Sequence, residues 1–217
     1  VTMHTSVSTM VDILEHPDHE LWSELERRIM AARPDVVGIT CNSGNMDTVR
    51  LVTQRLKHRH VPVILGGSHP TVLPEQSIRY TGADMVAIGE GEQTLAAVMD
   101  CVARGGDLSA IPALAWKHNG EIRINPKGKL IQDINDLPIP SRSFINRSEY
   151  FGEVVMTGRG CPFNCEYCAS RNIWGRAVRL RSTGSVITEL EELRDRAQAS
   201  EKREGQEGAA APGRWVV

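Results

Sequence analysis

Three cysteines in one short segment are the residues of this sequence best suited to chemistry. Cys161, Cys165 and Cys168 are spaced CxxxCxxC in the segment CPFNCEYC, after the apolar residues 154–156 and the turn 157–160. Thiolates are soft ligands, which bind iron–sulfur clusters, zinc or Cu(I) in preference to hard cations. Three local thiolates leave one position of a four-metal cluster open, where a substrate or cofactor can bind. The segment therefore predicts a metal site on a loop that follows a short strand at 154–156.

Other uses of the cysteines fit the sequence less well. A structural zinc site takes four protein ligands, usually in two pairs, and neither Cys nor His follows Cys168. The ferredoxin run C-x2-C-x2-C, with a further Cys-Pro, differs in spacing and in the number of ligands. Five cysteines are an odd number, and three of them lie within eight residues, which argues against a disulfide framework. Cys41 and Cys101 are predicted to be small core residues.

The elements that must position these residues alternate along the chain. This alternation of short apolar strands with amphipathic helices is typical of βα units around a parallel sheet. Ligands of such sheets bind at the carboxyl ends of the strands. Strands are predicted at 36–40, 62–65 and 84–88, with a weaker one in 1–14, and helices at 18–32, 45–59, 73–80 and from 92 onward with Leu95, Val98, Met99 and Val102 on one face.

Three loops follow the predicted strands 36–40, 62–65 and 84–88. They read TCNS (40–43), GGSHPT (66–71) and GEGE (89–92), and they are small and polar. Glycine lets a bulky ligand approach the backbone closely. Ordinary βα turns also fit these loops, and for GEGE alone that interpretation is preferred.

Composition and charge exclude several classes of protein. Of the 217 residues, 41% are hydrophobic and 24% charged, as in an ordinary globular domain. The net charge of −2, from 25 basic and 27 acidic residues, provides no basic surface for nucleic acid. No apolar run approaches the roughly 18 residues of a membrane helix, and no signal peptide is visible. Free thiols and an oxygen-sensitive cluster predict a reducing cytoplasm.

The cysteine segment resembles the signature of the radical S-adenosylmethionine (SAM) enzymes. The resemblance rests on TGRGCPFNCEYCAS, with the aromatic Tyr167 directly before the third cysteine. It implies that Cys161, Cys165 and Cys168 bind three irons of a [4Fe–4S] cluster and that SAM binds the fourth iron. An electron from a donor such as flavodoxin or ferredoxin would then cleave SAM to a 5′-deoxyadenosyl radical.

Three more residues near the cysteines have a role under the same resemblance. Tyr167 would lie near the adenine of SAM, although simple packing is as good an interpretation of a tyrosine. Arg159 and Arg181 would balance the charge of the cluster or of a carboxylate. As isolated arginines, they fit a role as surface residues or as anchors of loops better.

The three strand-end loops together are similar to the cobalamin-binding, flavodoxin-like domain that precedes some radical SAM domains. GGSHPT followed by GEGEQT carries this resemblance. The DxHxxG loop, which supplies a cobalt-ligating histidine in better-known cobalamin domains, does not occur, so binding without it is expected. His69 could face the corrin, but a lone loop histidine more often makes a backbone hydrogen bond or faces solvent. The implied cobalamin contacts are Thr40, Gly66, Gly67, Ser68, His69, Gly89, Glu90 and Gly91.

Four segments are expected from these motifs. Residues 1–110 form the cobalamin-binding domain, whose start at Val1 suggests that its beginning is incomplete. Residues 111–150 hold a hairpin around Asn119-Gly120 and a proline-stiffened linker, DLPIP, that resembles the connector of this architecture. Residues 151–199 begin a radical SAM barrel, and 200–217 read as a disordered tail. Later barrel strands that complete a SAM pocket are not found, so this chain alone is expected to be inactive.

The predicted fold is α/β: a flavodoxin-like, Rossmann-type parallel sheet followed by the first βα unit of a truncated radical SAM (β/α) barrel. The predicted function is a B12-dependent radical SAM enzyme that methylates an unactivated centre of a small molecule. Cyclisation or rearrangement, as in a tetrapyrrole cyclase, stays open, because a fold does not fix a reaction. So do a radical SAM protein with a scaffold domain that binds no cobalamin, and a non-catalytic cluster- or corrinoid-binding protein. Methylthiotransferases are disfavoured, because they need three more cysteines and only Cys41 and Cys101 remain.

Overall fold

The computed structural model describes residue 16, residues 18–143 and residues 152–207, with the backbone alone for 199–207. These residues form two compact units. The first contains the chain up to Leu130 and, in addition, Cys161–Arg176; the second contains Ile131–Gly160 and the chain from Ala177. The cysteine segment therefore belongs to the same unit as the strand-end loops. The weak strand predicted in 1–14 lies outside the described residues.

A five-stranded sheet forms the centre of the first unit, and its neighbours follow chain order. Its first three strands are parallel, which confirms the predicted α/β sheet. Its last two are antiparallel and form a hairpin around Asn119-Gly120, where both residues have positive φ, as the Asn-Gly signal predicts. The strands are β1 (Val37–Thr40), β2 (Val63–Gly66), β3 (Met85–Ala87), β4 (Leu114–His118) and β5 (Glu121–Ile124).

Helices cover both faces of this sheet. Because successive residues of a strand point to opposite faces, Val63 and Leu65 pack in one buried cluster with Leu56 and Ile78, whereas Ile64 packs in another with Val98. Both faces of β2 are therefore buried, as expected for a central parallel strand. The helices of this unit are α1 (Glu20–Ala31), α2 (Met46–Lys57), α3 (Ser68–Val72), α4 (Pro74–Thr81), α5 (Gly91–Arg104) and, after the cysteines, α6 (Ser170–Trp174); a 3₁₀ turn spans Leu108–Ala110.

Helix α5 buries Val98 of the predicted face but not the other three residues of that face. Thr94 and Val98, one helical turn apart, are its buried residues. Leu95, Met99 and Val102 are each about two-fifths exposed, because the helix contacts the sheet along the Thr94–Val98 row and the neighbouring row points away. The sequence pattern identified the helix correctly but not the row that it buries.

The second unit contains a short antiparallel ladder and one long helix. Strand β6 (Gly158–Arg159) pairs with β7 (Arg179–Leu180), and α7 spans Thr183–Glu207; a 3₁₀ turn lies at Ile134–Asp136. The strand predicted at 154–156 is not formed, because the carbonyls of this segment accept hydrogen bonds from arginine side chains rather than from a neighbouring strand. Helix α7 includes residues 200–207, the first eight residues of the predicted disordered tail, since residues 201–204 are good helix formers. Residues 208–217 lie outside the described part. No described helix is long and apolar enough to cross a bilayer.

Candidate functional site

The loop after β1 is held by asparagine side chains. The Asn42 backbone N–H donates to Asn45 Oδ1 (2.8 Å), and Asn42 Oδ1 accepts from the Gly44 N–H (2.8 Å). Asn45 Nδ2 donates to the Thr40 carbonyl (3.0 Å), so this carbonyl is used internally while the Thr40 side chain stays exposed. Cys41 is completely buried, as predicted, and burial raises the pKa of its thiol. Cys41 is therefore a core residue and Thr40 is the exposed one.

The two glycines at the end of β2 have different surroundings. Gly67 has φ 109°, and a Cβ on it would lie 2.5 Å from the Cys41 carbonyl oxygen. The close approach of the first two loops therefore requires glycine at this position. A Cβ on Gly66 would meet no atom within 4 Å, so open space lies beside it. Gly66 is thus the glycine that a ligand can approach, and Gly67 is the one that the fold needs.

A histidine links the first loop to the second. His69 Nδ1 lies 2.9 Å from Ser43 Oγ, across 26 residues of sequence. His69 Nε2 is buried and has no hydrogen-bond partner among the described residues. His69 lies in α3, a five-residue helix within the segment predicted as a loop. Ser43 was not predicted as a site residue; its position after β1, the neighbour of β2 in a parallel sheet, is the signal that pairs it with His69.

The third loop is joined to the second through Thr71. The Gly89 N–H donates to Thr71 Oγ1 (3.0 Å), and Gly89 has φ 80°. Glu90 precedes the first residue of α5, Gly91, in the N-cap position. Because β1, β2 and β3 are parallel neighbours, the predicted cobalamin residues all lie at or after the ends of strands at one edge of the sheet. Their contacts with cobalamin stay predictions.

The cysteine loop is held at its base and along its length. The Cys161 N–H donates to the Gly175 carbonyl (3.2 Å), and the Cys168 N–H donates to the Cys165 carbonyl (3.2 Å). All three cysteines are free, and Cys165 is exposed. Within 16, 18–143 and 152–207, no group of three His, Cys, Asp or Glu side chains is arranged to hold a metal ion. The three thiols therefore share one loop without converging, and their ligation of a cluster stays a prediction.

Two arginines brace the segment between the first two cysteines. Arg171 donates to Asn164 Oδ1, and Arg176 donates to the Pro162 carbonyl (3.2 Å). Neither arginine was predicted as a site residue. Tyr167 is 91% exposed, so the packing alternative does not apply to it.

Hydrogen bonds from Ser170 make the Cys168 thiol more acidic than an ordinary cysteine. Cys168 Sγ lies 3.3 Å from Ser170 Oγ. The Ser170 side chain, and then its backbone N–H, stabilise the thiolate by hydrogen bonding and hold the pKa of Cys168 below its usual value. A lowered pKa favours the thiolate, which is the form that binds metal.

Helix α6, directly after the cysteines, packs against helix α3, directly after Gly66-Gly67. The Ile173 carbonyl oxygen of α6 lies 3.6 Å from the place that a Cβ on Gly89 would occupy. The cysteine loop thus continues into a helix that touches the loops after β2 and β3. Residue spacing gave no indication of this contact, because about 80 residues or more separate its partners.

The chain is similar in sequence to known proteins. Residues 7–99 match the model of the B12-binding domain family. The uncharacterized methyltransferase PH0819 of Pyrococcus horikoshii is 38% identical over 178 residues, which are 78% of this chain and 39% of that protein. The cytidylyl-2-hydroxyethylphosphonate methyltransferase of Streptomyces wedmorensis is 26% identical over 75% of this chain and 38% of its own length.

A solved structure has the same fold. The radical SAM methyltransferase TsrM of Kitasatospora setae, with cobalamin and a [4Fe–4S] cluster bound, aligns with TM-score 0.69 and 20% identity over 81% of this chain and 38% of its own. The α/β fold and its strand-end loops define a cobalamin-binding type of domain. Residues 7–99 therefore belong to the B12-binding domain family, and the chain shares its fold with a radical SAM methyltransferase. It spans about two-fifths of the length of the three proteins named.

Proposed function

We propose that this chain binds cobalamin at the carboxyl ends of β1–β3 and a [4Fe–4S] cluster through Cys161, Cys165 and Cys168, as part of a B12-dependent radical SAM methyltransferase. The observation that carries the proposal is the contact between α6 and α3 within one compact unit. It brings the chain that follows the cysteines against the loop that follows Gly66-Gly67. Two cofactors held on these loops would be neighbours.

The strand-end residues fit a large planar ligand. Open space beside Gly66 admits a ring to the backbone, and the exposed Thr40 offers a hydroxyl. Among the described residues no hydrogen-bond partner meets the buried Nε2 of His69, so a ligand could supply one, and the Ser43 contact orients the ring. Ser68, Gly89, Glu90 and Gly91 would complete the contacts. Bound cobalamin supplies a methyl group to the reaction.

The cysteine loop fits a cluster by its donor set. Three free thiols lie within eight residues, and Ser170 favours the thiolate of Cys168. Soft thiolates are the ligands of iron–sulfur clusters. The bracing of the loop by Arg171 and Arg176 would restrict the positions that the thiols sample. A bound cluster supplies an electron to SAM, and Tyr167, exposed beside Cys168, would contact SAM.

Methyl transfer is the reaction class that the relatives support best, since both curated relatives named above are methyltransferases. For this chain we infer a small-molecule substrate, a one-electron donor of the flavodoxin or ferredoxin kind, and a reducing cytoplasm as the compartment that an oxygen-sensitive cluster requires. Ring closure is the less supported alternative, with one relative in its favour, the anaerobic magnesium-protoporphyrin IX monomethyl ester cyclase of Synechocystis.

Anaerobic reconstitution with iron and sulfide, followed by titration with hydroxocobalamin, tests the proposal. We expect cluster absorbance and saturable binding of corrinoid. Replacement of all three loop cysteines by alanine should abolish the cluster absorbance and leave corrinoid binding intact, whereas Cys101→Ala, a change outside the loop, should alter neither. Absence of a cluster in the wild-type chain would refute the radical SAM assignment. A cluster without saturable corrinoid binding would favour a scaffold domain instead.

A further inference from the structure

A buried carboxylate between two arginines forms the polar centre of the second unit. Glu189, on α7, is 1% exposed. Its Oε1 lies 2.5 Å from Nη2 of Arg142, and its Oε2 contacts Nη1 of Arg181. The arginine side chains are only 10% and 11% exposed. These three residues are called the Arg–Glu–Arg cluster below.

The two arginines also hold the backbone that leads to the cysteine loop. Arg142 Nη2 donates to the Val154 carbonyl (2.9 Å), and Arg181 Nη1 donates to the Met156 carbonyl (3.2 Å). The Arg181 backbone N–H donates to the Thr157 carbonyl (2.9 Å). Side chains of the cluster thus provide the hydrogen bonds that a neighbouring strand would otherwise give to residues 154–156.

The backbone continues from these carbonyls into a narrow ladder. Gly158 and Arg159 pair with Leu180 and Arg179. At Gly160, with φ 95°, a Cβ would lie 2.0 Å from the Ala177 carbonyl oxygen, so the two strands are in direct backbone contact. Cys161 is the next residue. Cys161 therefore lies only five residues after Met156, whose carbonyl the cluster binds, and β6 of the ladder lies between them.

The electrostatics of the cluster indicate a purpose other than stability. Burial raises the pKa of Glu189, but hydrogen bonds from Arg181 and Arg142 outweigh it and hold the pKa below its ordinary value, so the carboxylate is charged. Taking three charges out of water is costly, and apolar residues of similar volume often stabilise a fold as well or better. Apolar residues cannot donate to the carbonyls of Val154 and Met156, however. The donor function is what the charged residues add.

We propose that the Arg–Glu–Arg cluster is a positioning network for the cysteine loop: Glu189 orients Arg142 and Arg181, and they fix the backbone that carries Cys161. The inference rests on the proposed cluster-binding function of that loop, but it concerns residues that would not touch the cofactor. It predicts that the network can be removed with the fold retained and the loop disturbed.

Three variants separate positioning from folding. In Glu189→Gln both arginines lose the Glu189 carboxylate, and Arg142 keeps only its ion pair with Glu153 (3.1 Å). In the triple variant Arg142→Met, Glu189→Leu, Arg181→Met the charges are replaced by apolar groups, which keeps the core filled while it removes both carbonyl donors. Arg142→Lys keeps a positive charge beside Glu189 and loses the forked donor geometry. The control is Arg194→Met, which removes an exposed ion pair with Asp195 on the same helix.

Circular dichroism first establishes that each variant is folded, and two measurements are then made on the folded variants. The first is iron and sulfide bound per chain after anaerobic reconstitution, with the electron paramagnetic resonance spectrum of the reduced cluster. The second is the alkylation rate of Cys161, Cys165 and Cys168 in the cluster-free chain, resolved by peptide mass spectrometry; it tests the inference even where the wild-type chain takes up no iron. A positioning role predicts that folded variants bind less iron, show an altered spectrum, and alkylate with rates changed by about fivefold or more, which corresponds to about 1 kcal/mol in loop ordering.

The control should match the wild type in both readouts. A folded triple or Arg142→Lys variant with wild-type alkylation rates and, where the wild type binds iron, wild-type iron content and spectrum would overturn the inference. If the wild-type chain takes up no iron but the variants alkylate at altered rates, the proposed function is refuted. The positioning role is then still supported.

Discussion

The two adjacent glycines at the end of β2 allow fold and ligand binding to be tested separately. Gly67 has φ 109° and ψ −169°, a conformation that is essentially reserved for glycine. A Cβ there would also lie 2.5 Å from the Cys41 carbonyl oxygen, which is backbone and cannot rotate away. Gly66 has neither constraint, because a Cβ on it meets nothing within 4 Å. Alanine at the two positions should therefore have opposite effects.

For Gly67→Ala we expect a large loss of stability. Backbone strain of this kind costs about 1–3 kcal/mol, and relief of an overpacked contact costs about 1–3 kcal/mol more. The free energy of unfolding should therefore fall by about 2–6 kcal/mol, a large part of the about 5–15 kcal/mol of an ordinary domain. Gly66→Ala should be neutral or stabilising by about 0.5–1 kcal/mol, since glycine is a poor residue within a strand.

Gly66→Ala should weaken corrinoid binding even though it does not lower the free energy of unfolding. A methyl group placed where the ring approaches the backbone should weaken binding by about 1–3 kcal/mol, or about 5- to 150-fold in Kd. Urea unfolding followed by circular dichroism gives the stabilities, and titration with hydroxocobalamin followed by absorbance gives Kd. Equal stability of the two variants would refute the steric reasoning. Wild-type Kd in a folded Gly66→Ala chain would refute the placement of cobalamin beside Gly66.

Three further predictions concern the cysteine loop and its support. Ser170→Ala should raise the pKa of Cys168 and slow its alkylation at neutral pH, as measured by peptide mass spectrometry; an unchanged rate would contradict the hydrogen bond. Because the folded pKa of Glu189 is lowered, its stabilising contribution is present above the ordinary pKa of about 4.3 and is lost as the pH falls towards the folded pKa. Urea unfolding from neutral pH to about pH 3 should show this decline, and Glu189→Gln should flatten it; parallel curves would count against the network. Gly160→Ala should destabilise the chain by about 2–6 kcal/mol through its clash with the Ala177 carbonyl, and a cost under about 1 kcal/mol would argue against the backbone contact there.

Local signals in the sequence predicted most of the fold. The apolar runs at β1–β3 and the Asn119-Gly120 turn identified strands and hairpin, because strand burial and turn chemistry depend on neighbouring residues. Residues 154–156 misled the prediction, since an apolar run does not reveal that arginines will bind its carbonyls. Helix α5 was recognised but its buried row was not, because two adjacent apolar rows compete for the sheet.

The site was predicted by its residue types rather than by its contacts. The order of parallel strands indicated that the loops containing Thr40, His69 and Gly89 share one edge. The pairing of Ser43 with His69 and the packing of α6 on α3 join residues far apart in sequence, and no local pattern encodes such contacts. For Arg181 a surface role and a loop-anchoring role were both predicted; its side chain is 11% exposed and bound to the buried Glu189, which fits only the second.

The central claim is that one compact unit carries both cofactor sites, and the magnetic interaction between them tests it most directly. Cob(II)alamin and a reduced [4Fe–4S] cluster each have an unpaired electron, so electron paramagnetic resonance of the doubly loaded chain reports their separation. Packed helices lie about 8–10 Å apart, and cofactors on the two sides of the α3–α6 contact should therefore couple over about 20 Å or less. We expect a broadened or split cob(II)alamin signal that becomes simple when Cys161, Cys165 and Cys168 are replaced by alanine. A doubly loaded chain whose two signals are independent would contradict the claim.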